Sequence, residues 1–207
     1  MSQTPSPCAP ARRVIDRIQA EHRLLARIIA AMQAWVVRQR EPGTRGDHDL
    51  FESMLRYVAE VPDRVHHPQE DAVLFPPMAA IASAGAVIDE LHAEHASGER
   101  MLDAVRAAHA ALMGAEPNAL NRLTDAVDEF AGFYWAHMRK EEEVLLPLAA
   151  AGLTEAQWSR IDASFMVVND PLFAQAPLSE EYSRLSQFIT ERLPEPMKGY
   201  VQGAVRR

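Results

Sequence analysis

The stretch ALNRLTDAVDEFAGFYWAHMRKEEEVLLPL, residues 119–148, decides the fold. Leu120, Leu123, Val127, Phe130, Tyr134, His137, Glu141, Val144 and Leu148 follow one another in alternating steps of three and four residues. This is the inward seam of a long amphipathic helix. Two of its members, His137 and Glu141, are polar where a leucine belongs, and burying such groups without compensation costs on the order of several kcal/mol.

The same rhythm recurs along the chain. Ile15, Ile18, His22, Leu25, Ile29, Met32 and Val36 form a first seam, closed by the turn residues of Glu41-Pro-Gly-Thr-Arg-Gly46. Asp47 is placed to cap a second helix with Phe51, Met54, Val58 and Val61 on its inner face. Pro62 and Pro68 each remove an interior N–H, so a kink or break is expected near residues 58–64. A third helix over residues 86–113 carries Ile88, Leu91, His95, Gly98, Leu102, Val105, His109 and Leu112 on one stripe. Glu116-Pro-Asn118 ends it, and Asn118 is placed to cap the fourth. Long helices joined by short connections predict an all-α protein, an antiparallel four-helix bundle over residues 12–150. A flexible leader, residues 1–11, is expected before it and a partly helical C-terminal extension, residues 151–207, after it. In the extension a helix is expected from Thr154 to about residue 168 and another over Ser179 to Thr190. Trp158, Phe165, Phe173, Tyr182 and Phe188 supply apolar surface with which it would pack on the bundle.

Composition narrows the class of function. The 207 residues are 48% hydrophobic and carry a formal charge of −8, with no basic block, which argues against nucleic acid as the partner. No run approaches the ~18 apolar residues of a membrane span, and MSQTPSPCAPARR lacks the hydrophobic core of a signal peptide. A cytoplasmic protein with no membrane partner is expected. The single cysteine, Cys8, can form neither an internal disulfide nor a thiolate metal site. Eight histidines then require explanation.

An internal repeat organises them. Glu21-His22 recurs as Glu94-His95, and His66-His-Pro-Gln-Glu70-Asp-Ala-Val-Leu-Phe-Pro76 recurs as His137-Met-Arg-Lys-Glu141-Glu-Glu-Val-Leu-Leu-Pro147. His67 and Asp71 also have the spacing of a ligand pair, but the second copy holds Met138 and Glu142 at those places. The alignment therefore selects His66 and Glu70, with His67 second. Side chains at i and i+4 project together from a helix, so His66/Glu70 and His137/Glu141 each present a nitrogen and an oxygen donor. With His22 and His95 the set is His22, His66, Glu70, His95, His137 and Glu141. These donors exceed what one tetrahedral ion accepts. Two ions, each with two imidazoles and sharing both carboxylates, fit the count. Imidazole and carboxylate without thiolate suit iron or manganese, with zinc as an alternative.

These residues, in this order, resemble the hemerythrin-like (HHE cation-binding) domain over about residues 12–150. The resemblance implies a non-haem di-iron centre, oxo- or hydroxo-bridged, inside a four-helix bundle. Two histidines per iron with two bridging glutamates look most like the di-iron domain of iron–sulfur-centre repair proteins. In oxygen-carrying hemerythrins the third helix supplies two histidines four residues apart. Here Leu91 stands four residues before His95, and His92 three before, which makes His92 a candidate additional ligand.

The remaining polar residues carry two readings each. Tyr134 is either core or a hydrogen-bond donor lining the site. Glu21 and Glu94 either orient imidazoles or pair at the surface. His109, ~21 Å along the helix from His95, is expected at a capped or solvent edge, and His48 at the surface. The functional expectation is a di-iron protein that binds or reduces a small diatomic or peroxide ligand: dioxygen, nitric oxide or peroxide. The alternative is an iron store or donor for iron-centre repair, or an oxygen or redox sensor, without turnover.

Overall fold

In the computed structural model, residues 7–44, 46–167 and 191–192 are described. Most of them are helical, with no strand among them. The expectations for Ser179–Thr190 and for Phe173, Tyr182 and Phe188 lie outside the described residues. Helix α1 spans Ala9–Arg38 and begins three residues before the expected bundle boundary, with Pro10 in its first turn, where a missing N–H costs nothing. Helix α2 spans His48–Val61 and is capped by Asp47, whose side chain accepts from the Leu50 N–H at 3.0 Å. Helix α5 spans Gly85–Met113 and α6 spans Ala119–Lys140. Asn118 occupies the capping position of α6 in the left-handed conformation (φ 57°), without the expected side-chain cap. Helix α1 packs on α2 and α6, and α5 packs on α2 and α6. No helix among the described residues is long and apolar enough to cross a membrane.

The prolines produce a different irregularity from a break. Residues 62–78 stay helical but alternate wide and normal turns: a π turn at Pro62–His66, α3 at His67–Gln69, a second π turn at Glu70–Leu74, and α4 at Phe75–Met78. The second copy of the repeat matches it, with a π turn at Glu141–Leu145 running into α7, Leu146–Gly152. Pro76 and Pro147 explain the pairing. A proline inside a helix lacks the donor for its i−4 carbonyl and collides with that carbonyl, and a widened turn relieves both problems. Each π turn shifts the inward seam by one position. Val144, on the regular stripe, is therefore 44% exposed, while Leu145 and Ala149 are fully buried.

Two apolar cores result. One joins Leu25, Ile29, Met32, Phe51, Met54, Val58, Leu102, Val127 and Phe130. The other joins Val14, Ile18, Leu74, Met78, Leu91, Leu145 and Ala149 with Trp158, Ile161 and Phe165. The last three come from α8, Glu155–Val167, which lies on α1. Thr154 and Gln157 close its N-terminus reciprocally: the Gln157 N–H donates to Thr154 Oγ1 (3.3 Å) and the Thr154 N–H to Gln157 Oε1 (2.9 Å). The buried histidines other than His109, and the two buried glutamates, occupy the layer between the cores. His22 lies between Ile18 and Leu25 on α1, and His95 between Leu91 and Leu102 on α5.

Candidate metal centre

The structure brings His22, His66, Glu70, His95, His137 and Glu141 together in that layer, every one of them buried and both glutamates completely so. His22 Nε2 is 2.9 Å from Glu141 Oε2, and His137 Nε2 is 3.1 Å from Glu141 Oε1. His66 Nε2 and His95 Nε2 lie 3.6 and 3.7 Å from the two oxygens of Glu70. His22 and His66 bring their Nε2 atoms within 3.1 Å of each other. His92 is outside this group. Its side chain is 47% exposed and its Nε2 lies 3.4 Å from Asp71 Oδ1 at the rim.

Each of the four imidazoles is held from behind by a carboxylate. His66 Nδ1 donates to Glu21 Oε2 (2.9 Å) and His137 Nδ1 to Glu94 Oε2 (2.9 Å). His95 Nδ1 donates to Asp71 Oδ1 (3.0 Å) and His22 Nδ1 to Glu142 Oε1 (2.7 Å). The pattern follows the repeat. The residue before each first-helix histidine holds the second-helix histidine of its own half, and the residue after each core glutamate holds the first-helix histidine of the other half. Both readings of Glu21 and Glu94 hold: each accepts from an imidazole and also pairs with a cation, Arg17 and Lys140 respectively. Asp71, which competed with Glu70 in the sequence, acts from the outer side. With Nδ1–H committed outward, the Nε2 lone pairs face inward.

Such an arrangement is electrostatically incomplete without positive charge. Both oxygens of Glu70 and of Glu141, and Nε2 of His95 and His137, are buried without a hydrogen bond of normal geometry. Two inward lone pairs 3.1 Å apart repel unless a proton or a cation stands between them. Burial resists protonation of His22 and His137, yet Glu141, with Glu142 and Glu94 respectively, outweighs it and pushes each up to about 9. Burial, then the adjoining Glu141, pushes the Glu70 carboxyl well above its ordinary range. Burial opposes ionisation of Glu141 as well, but His137, His22 and His95 hold it well below. The two carboxyls are driven in opposite directions, Glu70 toward its protonated form and Glu141 toward the anion. The donor types and the charge deficit both fit metal cations.

His67 is the residue that the repeat alignment ranked second. It is buried, with its ring stacked on that of His95 (centroids 4.0 Å apart, planes 9° apart). One nitrogen each from His67, His95 and His137 forms a group within 4.8 Å, as do donor atoms of His22, His66 and Glu141, and of Glu70, His95 and Glu141. The sequence signals for His67 are the second histidine of His66-His67 and its four-residue spacing to Asp71, and the alignment ranks it second because Met138 stands opposite. Tyr134 is buried beside the site, its ring centroid 6.0 Å from that of His137. Gly98 makes room for it: a Cβ there would stand 2.8 Å from the Tyr134 hydroxyl oxygen.

His109 and His48 differ from expectation. His109 is 1% exposed, away from any solvent edge, because Trp35 and Phe51 cover it. It contacts Glu52 Oε1 through Nδ1 (3.0 Å) and His48 Nδ1 through Nε2 (3.1 Å), so the half-buried His48 belongs to this cluster as well. Burial lowers His109 below its ordinary 6.5; Glu52 pulls it upward and His48 adds to the depression. The unfolded chain therefore takes up this proton first as pH falls. The stability that His109 contributes is complete above pH 6.5 and declines below it. Urea unfolding at pH 7.5 and 5.5 is expected to show this loss, with a smaller acid loss in His109→Phe. Equal losses in both proteins would count against it.

Residues 13–149 match the family model of the hemerythrin HHE cation binding domain. No match was found among curated proteins or among solved structures. The family match covers most of the chain, and the chain belongs to that family.

Proposed function

We propose that this member of the hemerythrin HHE cation-binding family holds two metal ions, iron by preference, and uses them on a small oxidant: dioxygen, nitric oxide or peroxide. The observation that supports this reading is the buried convergence of imidazole nitrogens on two carboxylates that lack hydrogen bonds of their own. Glu70 and Glu141 would serve both ions, with His22 and His66 toward one and His95 and His137 toward the other, in an antiparallel bundle. His67 stands beside the second pair as a further donor. Without thiolate the set suits iron or manganese, and zinc would fit the same donors.

When bound in the ferrous state, iron supplies the electrons that a small oxidant takes up. The rest falls to the chain. Glu21, Asp71, Glu94 and Glu142 keep each imidazole in one tautomer with Nε2 inward. The two apolar cores close the layer above and below and restrict bulk water. Entry through such walls favours small neutral molecules over charged ones. Tyr134, seated against Gly98, is placed to line the space next to His137.

Anaerobic titration with ferrous iron tests this reading. Uptake of about two ions per chain is expected from this donor set, followed by new near-ultraviolet and visible absorption when air is admitted. Uptake of one ion or none, with no colour, would overturn it and favour a bundle stabilised by zinc.

A further inference from the structure

The two halves of the repeat differ in the cation behind each orienting glutamate. In the second half Lys140 bridges Glu94 and Glu90, all within α5 and α6. In the first half the cation is Arg17, whose Nε donates to Glu21 Oε1 at 3.0 Å. Its Nη1 reaches elsewhere, to the backbone carbonyl of Phe165 at 2.7 Å. Phe165 belongs to α8, so this hydrogen bond ties α1 to α8. The Arg17 guanidinium also lies 6.0 Å from the centroid of the Phe165 ring. Beyond Arg17, only the Arg13–Asp162 pair is a polar tie from α1 to α8 among the described residues, and it is exposed.

The contacts form a series. The Phe165 carbonyl accepts from Arg17, Arg17 donates to Glu21, Glu21 accepts from His66 Nδ1, and His66 Nε2 faces the donor layer. A cation at Nε2 draws electron density through the imidazole and strengthens the donation to Glu21. A carboxylate that gives more to His66 gives less to Arg17, which leaves the guanidinium freer to hold the Phe165 carbonyl. Coupling of this kind is reciprocal.

We infer that Arg17 is a positioning residue that links the seating of α8 to His66, so that metal loading tightens α8 and unseating α8 alters the His66 imidazole. This inference rests on the metal reading above. It makes α8 a reporter of the state of the site, which a sensor would need and a store would not.

Hydrogen exchange of residues 155–167 tests the link in the full chain, metal-free and after anaerobic ferrous loading. Loading is expected to slow exchange several-fold in the native protein and in Lys140→Met, but not in Arg17→Met, with most of the response restored in Arg17→Lys. An equal response in Arg17→Met, or none in the native protein despite uptake, overturns the inference. A metal-free arm separates its failure from failure of the metal reading. Phe165→Asp, which unseats α8, is expected to shift the His66 ring resonances when Arg17 is present and not in the Arg17→Met background. A shift that ignores Arg17, or no shift at all, overturns the link whether or not the protein takes up iron.

Discussion

Glu70→Gln is expected to abolish metal uptake while leaving the metal-free protein about as stable as before, whereas Glu141→Gln abolishes uptake and destabilises the fold. Both carboxyls are fully buried and both belong to the same donor layer. Their charge states differ. Burial and the neighbouring Glu141 push Glu70 toward its protonated form in the absence of metal, so a neutral amide of the same shape replaces it with little loss. Glu141 is the anion, 2.9 Å from His22 and 3.1 Å from His137. Removing its charge strips two buried imidazoles of their inward counter-ion and leaves only Glu142 and Glu94 on their outer side, a loss of about 3 kcal/mol by comparison with other broken buried pairs. Either amide is a poor bridging ligand, so both variants are expected to bind well under a tenth of the native iron. Denaturation of the metal-free proteins together with iron analysis reads both effects. Equal destabilisation by the two substitutions would contradict the charge assignment, and near-native iron content in either would contradict the bridging role.

Metal loading is expected to raise the thermal midpoint by about 10 °C or more. A ligand at a thousand times its dissociation constant stabilises the native state by about 4 kcal/mol per site, and for a chain of this size each kcal/mol moves the midpoint by about 2–4 °C. The physical source is the layer itself. The inward nitrogens and carboxyl oxygens lie 2.9–3.9 Å apart, and the buried oxygens have no hydrogen bond of normal geometry. Cations would replace that arrangement with bonds to every donor. Scanning calorimetry of the metal-free and ferrous-loaded protein under argon measures the rise, which chelation should reverse and Glu70→Gln should erase. A midpoint indifferent to metal would mean that the cluster is a proton-sharing network and not a metal centre.

Much of this protein is legible from periodicity. Helix α1 follows its seam from Ile18 to Val36, and α5 follows its own from Ile88 to His109, because a regular helix keeps a constant relation between sequence and face. The six donors stood out for the same reason: polar residues on an apolar stripe, repeated in both halves. Periodicity loses its grip where the helix is irregular. Past Glu141 the stripe pointed to Val144, but the π turn moved Leu145 inside, and a one-residue widening leaves no mark in a pattern of apolar steps. Pro76 and Pro147 were visible as repeated letters, yet their effect on the turn before them is a matter of backbone sterics.

The amino-acid order by itself determined which side chains share a face, and so the helices, the repeat and the set of donors. Tertiary structure alone decided which groups meet across helices. Glu21 reaches His66 and Glu142 reaches His22 from positions that lie off their own seams, because a long side chain at the edge of one helix can span to the next. His67, set aside by alignment, comes to lie against His95, and His109, distant from the donors, finds its own partners in Glu52 and His48. Arg17 meets Phe165 across 148 residues of chain. Periodicity describes one helix at a time, whereas these contacts depend on the distance and rotation between helices, which packing sets.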